Sequence, residues 1–218
     1  MEYVGFFDGA CEPRNPGGVG TYGFVLYRNG DIVFEKYGLA GTPWSLTTTN
    51  NTSEYTAVIE LLTYLLQNKI DTAMVKGDSQ LVIKQLTGDY SVNSPNIIPL
   101  YNKALALSNQ LNIKYSWVPR EKNTYADKLS KQAFWDYCVL SKADKVQEVD
   151  IKALGGNVFL ANNKYKVDLN KNTCECMDYK KHNHANNRVK IPCKHLIAAV
   201  NFNQKQKQEA NNEHFVNY

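Results

Sequence analysis

The run Glu2-Tyr3-Val4-Gly5-Phe6-Phe7-Asp8-Gly9-Ala10-Cys11-Glu12-Pro13-Arg14-Asn15-Pro16-Gly17-Gly18-Val19-Gly20 decides how the rest of the chain is read. Glu2–Phe7 is rich in aromatic and β-branched types and alternates imperfectly, which predicts a strand edging a core, with Asp8 at its end. Pro13–Gly20 then packs two prolines and three glycines into eight residues, so the turn backbone is specified at several points. A carboxylate beside a stiff turn that exposes backbone amides and Asn15 suits a polar or phosphate-bearing ligand. The same residues also suit an ordinary hairpin with Asp8 solvated at its tip, and this stretch alone does not separate the two.

Moving outward, Thr21–Arg28 and Asp31–Ala40 read as two further strands, joined at the hairpin signal Asn29-Gly30. A threonine-rich loop, Gly41–Thr49, precedes a helix over Asn51–Asn68. Its apolar set Val58, Leu61, Leu62, Leu65 and Leu66 recurs at helical spacing, and Asn51-Thr52-Ser53-Glu54 offers N-caps. Thr72–Gly77 is a short strand followed by Asp78, and Ser79–Leu86 a helix. Another helix lies around Leu100–Asn109, Ile113–Val118 is a fifth strand stopped by Pro119, and a last helix runs from Thr124 to Leu140. Hairpins first and strand–helix alternation later, in the order βββαβααβα, predict an α/β fold with a mixed sheet flanked by helices.

The chain has 218 residues, enough for one medium domain and a small companion. With 43% apolar and 21% charged residues it has the composition of an ordinary globular protein. It contains no apolar run of membrane-spanning length, and its start lacks the basic and apolar regions of a secretory signal. A cytoplasmic protein with no membrane partner is the expectation. The net charge of +4 is uneven: residues 141–218 hold 13 Lys+Arg against 8 Asp+Glu, and residues 1–140 hold 12 against 13. A basic C-terminal part favours a polyanionic partner. Of five cysteines, at 11, 138, 174, 176 and 193, three crowd into one motif, which in a reducing compartment favours metal over disulfides.

Four carboxylates sit near the ends of predicted elements: Asp8, Glu54, Asp78 and Asp127. Each has a plain explanation. Glu54 and Asp127 would be favoured by a helix dipole by about 0.3–1 kcal/mol, and Asp78 would serve as an N-cap. Their contexts are Phe7-Asp8-Gly9-Ala10, Thr49-Asn50-Asn51-Thr52-Ser53-Glu54-Tyr55, Gly77-Asp78-Ser79-Gln80-Leu81-Val82 and Asn123-Thr124-Tyr125-Ala126-Asp127-Lys128-Leu129. In this order and on this series of elements, the four resemble the active site of the type 1 ribonuclease H family over residues 1–140. The resemblance implies a five-stranded mixed sheet and endonucleolytic cleavage of the RNA strand of an RNA–DNA hybrid. It further implies that Asp8, Glu54 and Asp78 are the central metal ligands, with Asp127 completing the second metal's shell. Clustered carboxylates raise one another's pKa unless cations bind among them, and oxygen-only ligands select Mg²⁺ or Mn²⁺. Two such ions about 3.5–4 Å apart bracket a scissile phosphate in comparable sites.

By the same resemblance, Asn15 and Gly17 of the turn, with Asn50 and Asn51, fall where the hybrid's minor groove is contacted. There amide side chains reach the 2′-hydroxyls that distinguish RNA from DNA. Thr49 falls where a DNA-strand phosphate is held. Two departures stand out. Many family members carry a His on the loop before the last acid, but Trp117-Val118-Pro119-Arg120-Glu121-Lys122-Asn123 has none. Arg120 or Lys122 would act there electrostatically, since neither readily exchanges a proton at neutral pH. The basic protrusion that some members carry after the third acid is also absent, for Thr87–Leu100 contains no Lys or Arg.

Farther on, residues 141–153 are polar and charged and read as a linker. Cys174-Glu175-Cys176, a 16-residue gap and Cys193-Lys194-His195 supply three thiolates and an imidazole, the donor set of a closed structural zinc site. With a hairpin over Asn157–Leu169 turning at Asn162-Asn163, and a short helix from Lys194 to Phe202, residues 154–202 resemble a SWIM-type zinc finger. His182 and His184 in the gap are alternative ligands, or loop residues beside Lys180, Lys181, Arg188 and Lys190. That basic loop points to nucleic acid, with protein docking as the rival role for the finger. Residues 203–218 read as a mobile polar tail. The competing whole-chain readings are a hybrid-binding protein that does not cleave, and a zinc-finger adapter carrying a ribonuclease H-like domain.

Overall fold

β1 (Tyr3–Glu12) is the middle strand of a five-stranded sheet and the element against which the others are placed. The computed structural model describes residues 3–183 and 190–215, with side chains described to residue 209. The chain divides into two compact units, Met1–Phe134 and Trp135–Tyr218.

In the first unit β2 (Val19–Arg28) pairs antiparallel with β1, and β3 (Asp31–Leu39) antiparallel with β2. Asn29 and Gly30 at the β2–β3 turn have φ of 53° and 96°, the two left-handed residues that a two-residue hairpin requires. α1 (Asn50–Gln67) crosses back to β4 (Thr72–Gly77), which lies parallel to β1 on its other side. α2 (Gln80–Leu86) and α3 (Ile98–Ser108) lead to β5 (Asn112–Trp117), parallel to β4. A single 3-10 turn at Arg120–Lys122 precedes α4 (Thr124–Leu140). The sheet order is β3-β2-β1-β4-β5, the mixed sheet that the sequence predicts.

The core of this unit is the α1 stripe Tyr55, Val58, Leu61, Leu62 and Leu65 laid on Phe7, Phe24, Leu26 and Val75. Each is fully buried, worth about 1.5–3 kcal/mol per large side chain. The buried Tyr55 hydroxyl donates to Gln85 Oε1 at 2.8 Å, so its burial leaves no polar atom stranded.

Two local expectations are corrected. Asp8 lies inside β1, because Gly9–Glu12 continues the ladder opposite Val19–Tyr22 and the turn needs only the residues between. The N-cap of α1 is Thr49, whose hydroxyl accepts from Thr52 N at 3.1 Å while Thr52 Oγ1 accepts from Thr49 N at 2.8 Å. Glu54 is therefore the fifth residue of the helix and lies beyond its first turn.

The second unit follows different lines from the sequence reading at both ends. Within 141–153 the chain forms α5 (Ala143–Gln147) and enters β6 (Ile151–Gly155). Val149 and Ile151, apolar residues set among charges, pack against the second unit's own core, which draws the segment into the fold. β6 heads a four-stranded antiparallel sheet with β7 (Val158–Ala161), β8 (Tyr165–Asp168) and β9 (Thr173–Cys174). The β7–β8 hairpin turns at Asn162 and Asn163, with φ of 52° and 51°. α6 (Met177–His182) follows, and α7 (Lys194–Phe215) runs well beyond Phe202. Its Gln, Lys, Glu and Ala residues are good helix formers, and Lys205 and Glu209 pair four residues apart at 4.0 Å. No described helix is long and apolar enough to cross a membrane.

Candidate functional site

Neighbouring parallel strands bring the first and third acids together. Phe7 of β1 pairs with Gly77 of β4, so Asp8 and Asp78, one residue farther on, stand side by side. Glu54 reaches them because α1 lies almost on the backbone of β1. A Cβ at Gly9 would fall 2.2 Å from Glu54 N, a space that only glycine leaves open. The ligand atoms of Asp8, Glu54 and Asp78 all lie within 4.8 Å of one another. Asp78 is not the cap of α2, since Ser79 holds that place.

The cluster strains the charges of its members. Burial pushes the Asp8 carboxyl up to about 7, with Asp78 and Asp127 adding repulsion against the lowering effect of a Ser130 hydrogen bond. Burial likewise raises Glu54 well above the usual carboxylate range, reinforced by Asp8 and Asp78, and its Oε2 is buried without a hydrogen-bond partner. Three acids crowded in this way, one with an orphaned oxygen, form a donor set that fits a hard divalent cation.

Four side chains beyond the acids shape the site. Fully buried Asn123 donates through Nδ2 to Phe7 O at 2.9 Å and to Asp78 Oδ1 at 2.6 Å, tying the entry of α4 to both strands. Ser130 Oγ donates to Asp8 Oδ2. It comes this close because a Cβ at Gly23, the β2 partner of Asp8, would lie 2.6 Å from Ser130 N. Lys131, with Arg120, holds the fourth acid. Asp127 lies outside the three-acid group, in the first turn of α4, and accepts from Arg120 Nη2 at 2.7 Å and from Lys131 Nζ at 2.5 Å. Burial would raise its pKa, but the hydrogen bonds from Lys131 and Arg120 outweigh that and hold it below the usual range. Ser130 and Lys131 escaped the sequence reading. Their signal was spacing, three and four residues after Asp127 on one helical face.

The residues expected to touch a hybrid meet beside this cluster. Asn50 N donates to Asn15 Oδ1 at 3.1 Å, Cys11 N donates to Asn50 Oδ1 at 2.7 Å, and Gly17 N donates to Thr48 O at 3.0 Å. The β1–β2 turn is thus stitched to the start of α1. Thr49 caps that helix, and Asn51 is exposed on its first turn.

The second unit holds a separate centre. Cys174 ends β9, Cys176 caps α6, Cys193 immediately precedes α7 and His195 lies in its first turn. All four are buried, with ligand atoms within 4.8 Å of one another and Cys174 Sγ 3.9 Å from His195 Nδ1. None of the cysteines is in a disulfide. The Cys193 thiol is pulled down, first by its hydrogen bond with Cys174 and also by His195, while that same bond pushes Cys174 up. Three thiols and an imidazole converging in a buried knot fit zinc. His182 instead faces Asp178, 3.2 Å from its Oδ1, and is half exposed. His184 and Arg188 lie outside the described residues.

Comparison with known proteins follows the same division. The family described as "Reverse transcriptase-like" matches residues 6–133, and the SWIM zinc finger family matches residues 157–203. A bifunctional protein of Mycobacterium tuberculosis is 37% identical over 122 residues, 55% of this chain. The chain spans only 32% of that relative's length. Ribonuclease HI of Halobacterium salinarum is 35% identical over 135 residues, 60% of this chain and 63% of the relative. The crystal structure of RNase H1 from that archaeon superposes with a TM-score of 0.56 at 33% identity, covering 62% of this chain and 99% of the other. LC11-RNase H1, solved in complex with an RNA/DNA hybrid, matches with a TM-score of 0.54 at 28% identity over 61% of this chain and 96% of the other. More than half of the sequence falls under the first family match, and the chain belongs to the reverse transcriptase-like family, in its type 1 ribonuclease H group, with a C-terminal SWIM zinc finger.

Proposed function

We propose that this protein is a metal-dependent endoribonuclease that hydrolyses the RNA strand of RNA–DNA hybrids, leaving 5′-phosphate and 3′-hydroxyl ends. The observation that carries the reading is the convergence of Asp8, Glu54 and Asp78 from three separate elements to within 4.8 Å. A protein that only bound hybrids would gain nothing from three carboxylates facing phosphates. The relatives named ribonuclease H, one of them solved on a hybrid, support the same substrate.

In this reading Asp8, Glu54 and Asp78 hold Mg²⁺ or Mn²⁺, and Asp127 completes the shell of a second ion. Divalent ions in such a site activate water and stabilise the leaving 3′ oxygen. The chain's own part is positioning. Asn123 fixes Asp78 against β1, Ser130 fixes one Asp8 oxygen, and burial keeps Asp8 and Glu54 poor anions until a cation neutralises the cluster. Arg120 places a permanent positive charge beside Asp127, in the loop where many family members have a His. Asn15, Gly17, Asn50 and Asn51 read the minor groove, and Thr49 a DNA-strand phosphate.

Zinc at Cys174, Cys176, Cys193 and His195 would tie β9, α6 and α7 together around the small core of Phe159, Val167 and Leu196, adding folding energy that a module this small draws only in part from packing. We assign the finger to nucleic-acid contact, on the exposed Lys180 and Lys181 of α6. The test is a labelled panel of hybrid, duplex RNA and duplex DNA incubated with Mg²⁺, with Asp8→Asn as control. RNA-strand cleavage of the hybrid alone, lost in the variant, is expected. An intact hybrid, or cleavage that persists in Asp8→Asn, would remove the assignment.

A further inference from the structure

The loop before α1 holds a residue that neither packing nor the acid cluster explains. Trp44 has a φ of 65°, in the left-handed region that bulky side chains seldom enter, and it is 48% exposed. A strained backbone at a large surface aromatic does little for folding and is characteristic of functional positions. The surroundings hold it in place. Trp44 N donates to Gly18 O at 2.8 Å, and Arg14 Nε donates to Gly17 O at 2.7 Å. The Arg14 guanidinium lies over the Trp44 ring, 5.8 Å from its centroid. Leu46, 76% exposed, extends the apolar surface alongside, within van der Waals reach of Gly17.

This pair borders the turn that carries Asn15, where it is stitched to Thr49 and Asn50 at the start of α1. A fixed aromatic face coupled to a cation suits a nucleic-acid strand, where the ring takes a base or sugar and the guanidinium takes the adjoining phosphate. The first unit has use for such a contact, because Thr87–Leu100 offers no Lys or Arg. We infer that Arg14 and Trp44 form a strand-docking platform for the DNA strand of the hybrid, next to the phosphate contact at Thr49. This rests on the hybrid-nuclease reading above.

The test uses the full chain carrying Asp8→Asn, titrated with fluorescently labelled hybrid across a range of salt concentrations. Trp44→Ala should weaken binding about tenfold with an unchanged salt slope, as loss of one stacking contact does. Arg14→Ala should weaken it and lower the salt slope by about 1, the value for one phosphate contact. Trp44→Phe should keep most of the affinity. Trp44→Gly separates binding from folding: it should weaken the hybrid complex while holding or raising the melting temperature, because glycine relieves the strain. Hybrid affinity that stays within about twofold in Trp44→Ala, where the platform calls for tenfold, overturns the inference. So does a loss of self-association at unchanged hybrid affinity, which would give the patch to a second copy of the chain. If the Asp8→Asn parent binds no hybrid at any salt concentration, the hybrid reading fails together with the platform.

Discussion

Replacing Asp8 by Asn should stabilise the metal-free protein at neutral and alkaline pH while abolishing its activity. In the folded chain the Asp8 carboxyl is raised from 3.8 to about 7, chiefly by burial. One pH unit of displacement corresponds to about 1.4 kcal/mol, so ionising this group in place opposes folding by up to about 4 kcal/mol. Because the folded pKa is the higher one, this group's contribution is fully present below about pH 4 and is lost as pH rises through 7. Glu54 is raised for the same reason and acts in the same direction. The amide of Asp8→Asn would keep an acceptor for Ser130 and carry no charge, which removes the penalty. In buffer free of Mg²⁺ and Mn²⁺, with zinc retained, the melting temperature of Asp8→Asn at pH 8 should exceed wild type by on the order of 10 °C, at about 2–4 °C per kcal/mol. The gap should close near pH 4, and Mg²⁺ should raise wild type far more than the variant. A variant that melts at or below wild type at pH 8 without divalent ions would refute the view that this carboxylate is held under electrostatic strain.

Other expectations concern single contacts. Gly9→Ala should cost about 3 kcal/mol or more and lower activity, because its Cβ would fall 2.2 Å from Glu54 N; a melting curve near wild type would contradict that close approach. Arg120→Ala should slow turnover while leaving Mn²⁺ binding by calorimetry largely intact; unchanged steady-state kinetics would dispose of its role beside Asp127. Lys180→Ala with Lys181→Ala should weaken hybrid binding and flatten its salt dependence by about 2, one for each cation lost from a phosphate, and identical slopes would argue for a protein partner instead. Zinc chelation should release amide protection in β7, β8 and α7 while β1, β2 and β4 stay protected; uniform protection with the chelator present would deny the metal a folding role.

Much of the first unit was legible because its signals are local. Thr72–Gly77 and Thr124–Leu140 have the predicted bounds, and Asn29-Gly30 makes the predicted turn. The misplacements came where tertiary pairing overrode composition. Gly9-Ala10-Cys11-Glu12 has weak strand propensity and heads into Pro13, yet the ladder with Val19–Tyr22 extends β1 through it. Asn51, Thr52 and Ser53 are N-cap types as good as Thr49, and only the reciprocal bonds between Thr49 and Thr52 set the start of α1 earlier. The charges of 141–153 point to a linker, whereas partial burial of Val149 and Ile151 draws the segment into the second unit. At the site, the acids stand in an order that shows in sequence. The glycines that let α1 and α4 approach β1 and β2 do not announce themselves, since steric need depends on what lies opposite. The convergence of Cys174, Cys176, Cys193 and His195 was the most legible feature of all, as those residue types at that spacing point directly to a shared metal.

The claim on which the rest depends is that carboxylates from β1, α1 and the end of β4 form one divalent-cation site. Calorimetric titration of Mn²⁺ into the zinc-loaded full chain tests it without any substrate. Saturable binding that disappears in Asp8→Asn and persists when Lys180 and Lys181 are replaced by Ala is the predicted result. Heats that show no binding, or binding equally strong in wild type and Asp8→Asn, would contradict it.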